Sequence, residues 1–308
     1  MTQDRPLVGI ALMLGFCVVA PIGDAVAKML GDAVPLTEVV WVRFALQVAV
    51  LLPLVWATGL AWRYGRRVMM LILARTILHV LGIAAMFTAL RYLPLADAVA
   101  IVFVMPFFML LLGHLVLRET VGMRRLIACA IGFAGTLMVV QPSFATVGWP
   151  ALLPLFVAAT FSVFMLITRQ IAKETDPISL QAISGVMAVV LMTPLLLLGT
   201  AYEVPALALM MPDQNEWMLL IALGVLGTLA HLLMTWSLRY APSATVAPMQ
   251  YLEIPIAAVI GLLVFGDLPN NLAAIGMAIT IAAGVYIILR ERAIARTTPS
   301  PVLGTPAE

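Results

Sequence analysis

Arg75 and His79 stand four residues apart, His231 and Thr235 four apart, and Gln250 and Glu253 three apart, each pair inside an otherwise apolar run. These separations place the two members of each pair on one face of a helix. Asp24 and Arg43 add two further charges within apolar runs. In such surroundings these side chains can pair with one another, hold the charged groups of a solute, or exchange a proton. A charge within a lipid-spanning helix costs at least ~2.5–3.5 kcal/mol on insertion scales, so each is expected to face a cavity or a partner. Counted at ~1.5 Å per residue from the nearer end of its run, Arg75, His231 and Glu253 all fall ~10–15 Å deep. A shared site near the midplane is therefore expected, or else a buried Arg75–Glu253 pair that locks two helices together. Asp24 and Arg43 lie ~7 and ~10 Å from the other end of their runs and could pair. Met105, Trp236 and Tyr251 supply pliable or stacking wall material beside these charges. Glu38, Arg91 and Asp97 fall at a boundary that water can reach, and Lys28 is expected to extend its amine outward.

The same residues do not assemble into a catalytic set. Ser184-Gly185 lacks the glycine-flanked pattern of a membrane serine protease, and Gly23-Asp24 is half of a membrane aspartyl-protease signature. Three scattered histidines and two apolar-embedded cysteines, Cys17 and Cys129, lack metal-ligand spacing. No catalytic residue, metal or cofactor is expected. An intramembrane enzyme and a non-transporting scaffold remain as alternative readings, distinguishable from a carrier by saturable, competable uptake in proteoliposomes.

The elements that must position these groups follow from composition. Of 308 residues 63% are apolar and 10% are charged, and the mean hydropathy is +1.10; such a chain needs a lipid bilayer as partner. Its net charge of +2 gives no support to nucleic-acid binding. A bilayer core of ~30 Å takes ~20 helical residues, and the sequence divides into spans at 7–29, 36–60, 70–91, 95–117, 124–141, 148–170, 177–199, 217–240, 244–266 and 270–290. Thirteen of the seventeen basic residues then fall on one side, including Arg63, Arg66 and Arg67, and that side is expected to be cytoplasmic together with both termini. Lys28 and Arg91 fall on the other side, with Ser143 to Thr146 and Pro212 to Asn215. Residues 291–308 are expected to form a disordered cytoplasmic tail.

A shift of 148 lays Leu90-Arg91-Tyr92-x-Pro94 on Leu238-Arg239-Tyr240-x-Pro242, Gly113 on Gly261 and Glu119 on Asp267. The same shift puts Ala128, Gly132 and Thr136 on Gly276, Thr280 and Gly284, a stripe of small residues expected to let two helices approach closely, at the periphery or at a homodimer interface. Each half, 1–141 and 148–290, holds five spans. An odd number forces the second copy to start on the opposite side of the membrane, and two such halves can open a midplane site to each side in turn. Pro21, Pro106 and Pro255 within spans permit bends. His114 lies near one end of its span, and a structural role is expected for it.

The motifs resemble the EamA-type, ten-helix branch of the drug/metabolite transporter superfamily across nearly the whole chain. They are Leu95-Ala96-Asp97-Ala98 leading into Met105-Pro106, Gly113, Arg118-Glu119 and Gly132-Phe133-Ala134-Gly135, with a second copy in Ala244-Thr245-Val246-Ala247, Glu253-Ile254-Pro255, Gly261 and Gly266-Asp267. Asp267 stands where that family usually has glutamate. The resemblance implies an all-α integral membrane fold, two inverted five-helix repeats around a central cavity. It also implies inner-membrane transport of a small organic solute such as an amino acid, vitamin, nucleoside-like compound or drug. No Gly-rich phosphate loop occurs in the sequence, so transport is expected to draw on a gradient, with protons as a candidate coupling ion, Glu253 as the central titratable group and Arg75 as its counter-charge or as the clamp for an anionic group of the solute.

Overall fold

Without water to take up backbone N–H and C=O groups, an apolar run in lipid has to satisfy them along its own axis, and these runs do so as helices. A computed structural model describes residues 6–105, 108, 112, 123–204, 207, 209–241 and 247–297, and among them it is helical with no strand. The helices are α1 (Pro6–Leu30), α2 (Leu36–Thr58), α3 (Arg66–Leu90), α4 (Leu95–Val102), α5 (Met123–Val147), α6 (Leu153–Ile171), α7 (Pro177–Ala201), α8 (Gln214–Tyr240), α9 (Glu253–Ile260) and α10 (Asn271–Thr297). Seven of the helical segments are long and apolar enough to cross a membrane. Their ends carry expected signals. Asp176 accepts from the N–H groups of Ile178 and Ser179 at the start of α7, and Asp213 and Glu216 form a reciprocal capping box on α8. Gly59 closes α2 at φ 64°, a left-handed position that suits glycine.

Several boundaries differ from the sequence reading. α3 starts at Arg66 rather than 70 and α8 at Gln214 rather than 217. Residues 291–297, expected in a disordered tail, continue α10 as helix. The ninth span is not one regular helix: a 3-10 stretch, Ala247–Leu252, runs into α9, and α9 ends in a π-type turn, Gly261–Phe265. Pro106, Gly113, His114, Arg118, Glu119, residues 242–246 and residues 298–308 lie outside the described residues.

The packing is set between the halves. α1 packs on α8 and α3 on α6, while α2 packs on α7, α4 on α9 and α5 on α10. Exchanging each helix for its counterpart five places along returns the same set of pairs, as an inverted repeat requires. Two contacts sit on the pseudo-symmetry axis itself. Phe103 and Tyr251, separated by the repeat shift of 148, have ring centroids 5.2 Å apart. Thr280 donates to the carbonyl of Gly132, also 148 residues away, at 3.4 Å.

The small-residue stripes meet each other inside the chain. A Cβ added at Gly135 would come within 2.8 Å of the Gly276 carbonyl, and one at Gly276 within 2.5 Å of the Gly135 carbonyl. Backbone approach this close is open only to small residues. The periphery is instead lined by exposed Leu, Val, Ile and Trp, among them Trp56, Leu197 and Leu263, an apolar girdle that suits lipid and that water would penalise.

Candidate functional site

α1, α3, α6 and α8 enclose the middle of the molecule because each buries one face against the opposite half. Between them, closed by α4 and α9, lies a chamber with about 710 Å³ free of protein atoms, part of it open to solvent. Its wall is largely apolar and aromatic, with Phe16, Met86, Phe103, Met105 and Phe161, and its polar groups are Asp24, His231, Gln250 and Glu253. A side pocket adjoins it, with Arg43, Asp24 and His231 in its wall. On α1 the chamber takes Phe16 to Asp24, and on α3 Gly82 to Phe87. It therefore occupies the half of the molecule away from the Arg63–Arg67 face.

The break at α9 brings two predicted residues into the chamber. Gln250 lies on the 3-10 stretch and Glu253 opens the α-helix that follows, so both stand beside the change in backbone geometry, a placement common to binding sites in membrane carriers. The first half breaks at the repeat-related point: α4 ends at Val102 and a turn at Phe103 and Val104 precedes Met105. Gln250 Nε2 lies 4.0 Å from the Met165 sulfur.

His79 and His231 meet directly. Their Nε2 atoms are 3.0 Å apart, so one ring donates and the other accepts. Each Nδ1 is buried without a hydrogen-bond partner among the described residues. The rings sit in an aromatic cage, with Phe44 edge-on to His79 at 5.3 Å and Phe164 at 4.8 Å. Because α3 and α8 are counterparts, this pair closes the bottom of the chamber at the interface of the two halves. His231 lines the chamber from the pair; His79 is behind it.

Arg75 does not pair with Glu253. It is fully buried, and its Nε and Nη1 donate to Thr168 Oγ1 at 2.7 Å and Ser184 Oγ at 2.8 Å, with the guanidinium carbon 4.4 Å from the Phe164 ring centroid. Equal depth along the helices suggests the pair, but depth does not say which way a side chain points around its helix, and Arg75 points to α6 and α7. Around it, Gln181 donates to the His231 carbonyl and to Thr235 Oγ1, and Gln47 donates to the Gln181 carbonyl. Sequence reasoning passed over Gln47, Thr168 and Gln181, and weighed Ser184 only as a protease nucleophile. Their signal was available, since each is a polar residue inside an apolar run.

Asp24 and Arg43 line the same side pocket but form no ion pair among the described residues. Trp236 packs with Leu51, Val55, Ala182 and Leu232, away from the chamber. Tyr251 is spent on Phe103 and the core behind it. Lys28, expected to extend outward, bonds Asp267 at 2.8 Å and the Leu93 carbonyl at 3.0 Å. Ser143, expected in a loop, is buried and donates to Asp97 at 3.0 Å.

The geometry is that of a carrier: a chamber at a pseudo-symmetric interface, sealed on one side by hydrogen bonds between the halves. A sequence profile described as the EamA-like transporter family matches twice, over residues 7–141 and 148–290. A riboflavin transporter of Rhizobium johnstonii is 32% identical over 222 residues, covering 71% of this chain and 70% of its own. An S-adenosylmethionine uptake transporter of Rickettsia prowazekii is 25% identical over 291 residues, 92% of this chain and 93% of that one. A crystal structure 17% identical in sequence superposes with a TM-score of 0.64 over 94% of this chain and 98% of its own, a likeness of fold. With chamber, repeat and relatives in agreement, the chain belongs to the EamA-like transporter family, a multi-pass membrane protein that moves a small molecule and is not an enzyme.

Proposed function

We propose that this transporter works by alternating access in the inner membrane, with both termini cytoplasmic, and that it couples solute movement to protons through Glu253. The observation that carries the reading is the placement of Glu253 in the chamber wall beside the broken backbone of the ninth span, with Asp24 lining the same chamber. A carboxylate at that depth is stable as an anion only when paired or hydrated, so whether it holds a proton depends on what stands next to it. Exchange of the two halves between conformations changes that company from water to solute to the opposite helix. Arg75 plays no part in this step, being held by Thr168 and Ser184.

With the basic face inside, the chamber lies toward the outside and the hydrogen bonds of His79, Gln181 and Arg75 form the closed inner barrier. The heteroaromatic solutes named for the two relatives, riboflavin and S-adenosylmethionine, suit a wall of phenylalanine and methionine.

The test begins with thermal stabilisation of purified protein by a metabolite panel that includes both compounds, since a ligand that binds the folded state stabilises it by mass action. Hits are then assayed for counterflow and for accumulation driven by a pH gradient in proteoliposomes. Glu253→Gln keeps size and hydrogen bonding but removes titration; it is expected to retain counterflow and lose pH-driven accumulation. Unchanged accumulation in this variant would move the coupling role to Asp24 or His231.

A further inference from the structure

Arg43 is 3% exposed, yet its Nη1 has no hydrogen-bond partner among the described residues. Its guanidinium carbon lies 5.0 Å from the centroid of the Phe44 ring. On the other side it lies flat against α8 at Gly227, where an added Cβ would stand 2.6 Å from Nε and 2.9 Å from both the guanidinium carbon and Nη2. Glycine at 227 thus makes the seat into which the guanidinium fits. A cation held this deep without a hydrogen-bonded anion is disfavoured, and the seat keeps it where it borders the side pocket.

Asp24 lines the same pocket from α1. The two opposite charges share a cavity and do not form an ion pair with each other among the described residues. A solute with only an anionic group would gain Arg43 and face Asp24 with like charge. A solute with only a cationic group would meet the reverse. A head group that bears both charges satisfies both residues at once, its carboxylate on the planar fork of Arg43 and its ammonium on Asp24. The side pocket shares Ala20, Asp24, Ile83, Phe87 and His231 with the main chamber, so a head group in the pocket would leave the body of the solute among Phe16, Met86, Phe103 and Phe161.

We infer that the pocket between Arg43 and Asp24 is the head-group subsite of a zwitterionic solute, an ammonium carboxylate whose apolar or aromatic body fills the chamber. This rests on the transport reading above and narrows it to a substrate class.

The experiment uses three probes that share a phenyl body and differ in which charged groups they carry: L-phenylalanine, phenethylamine, which lacks the carboxylate, and 3-phenylpropionate, which lacks the ammonium. Binding to the purified full-length protein is read by thermal shift and by calorimetry. Phenylalanine is expected to bind at least tenfold tighter than either analogue. Arg43→Gln should drop phenylalanine to the level of phenethylamine and leave phenethylamine unaffected; Asp24→Asn should drop it to the level of 3-phenylpropionate. Arg43→Lys, which keeps the charge and loses the fork, should fall between. If a variant does not fold, the ranking of the three probes on the unaltered protein still decides. Equal binding of all three, tighter binding of a single-charge probe, or no binding of phenylalanine overturns the inference, as does a uniform loss for all three in Arg43→Gln. Proton-driven transport of a singly charged or neutral solute, uncompeted by phenylalanine, would overturn it while leaving the transport reading intact.

Discussion

Arg75 joins three helices through one guanidinium, and removing it separates two roles that a sequence cannot. As a fastener it contributes two charge-assisted hydrogen bonds and a ring contact. Polar contacts between membrane helices are each worth ~0.6–1.7 kcal/mol, so Arg75→Ala is expected to lower stability by about 2 kcal/mol. Ligand affinity, measured well below the melting temperature, should stay within about threefold of the unaltered protein. A large loss of affinity at normal stability would return Arg75 to the binding site. The sequence showed that Arg75, His231 and Glu253 share a depth, because depth is a count along a helix. It could not show their azimuth. In this fold most helices bury more than one face, so apolar periodicity does not single out a cavity side, and Arg75 and Glu253 went to opposite sides of the His79–His231 pair. Arg43 was legible as an intramembrane charge; its seat was not, because Gly227 is distant in sequence and glycine is common in membrane helices.

At the scale of elements, the α5–α10 pair depends on the mutual approach of Gly135 and Gly276. A leucine at 276 would meet the Gly135 carbonyl and the side chains of Met138 and Val139. Overpacking in a closely fitted interface costs ~1–3 kcal/mol and occasionally more, so Gly276→Leu should reduce folded yield and melting temperature without changing which solutes bind. An altered ligand preference at full stability would place α10 in the chamber wall. The stripe itself was readable as residues at four-residue spacing, and so was the ten-span layout, since both depend on composition along a helix. The break in the ninth span was less legible. Pro248 and Pro255 mark it, but prolines also sit inside α1, α2 and α7 without ending them, so a proline in a span does not by itself tell a break from a continuous helix.

For the whole molecule, orientation is the property on which the direction of any gradient depends. The basic-residue bias predicts that a membrane-impermeant thiol reagent, added outside intact cells, reaches a cysteine at Ala145 and not one at Gly65, both exposed positions on opposite faces. The reverse labelling would invert the assignment. The pairing of helices across the halves also has a temporal side. Thr168, Ser184 and His231 all lie in the second repeat, while Arg75 and His79, to which they bond, lie in the first. A chain made from its N-terminus therefore commits Arg75 and His79 before their partners have been synthesised. The two repeats resemble each other as sequences, yet neither carries its own interior. The early helices must wait, in the membrane or in the machinery that delivers them, for the later half to arrive, and biogenesis of this protein is a joining of two incomplete pieces more than a folding of one after the other.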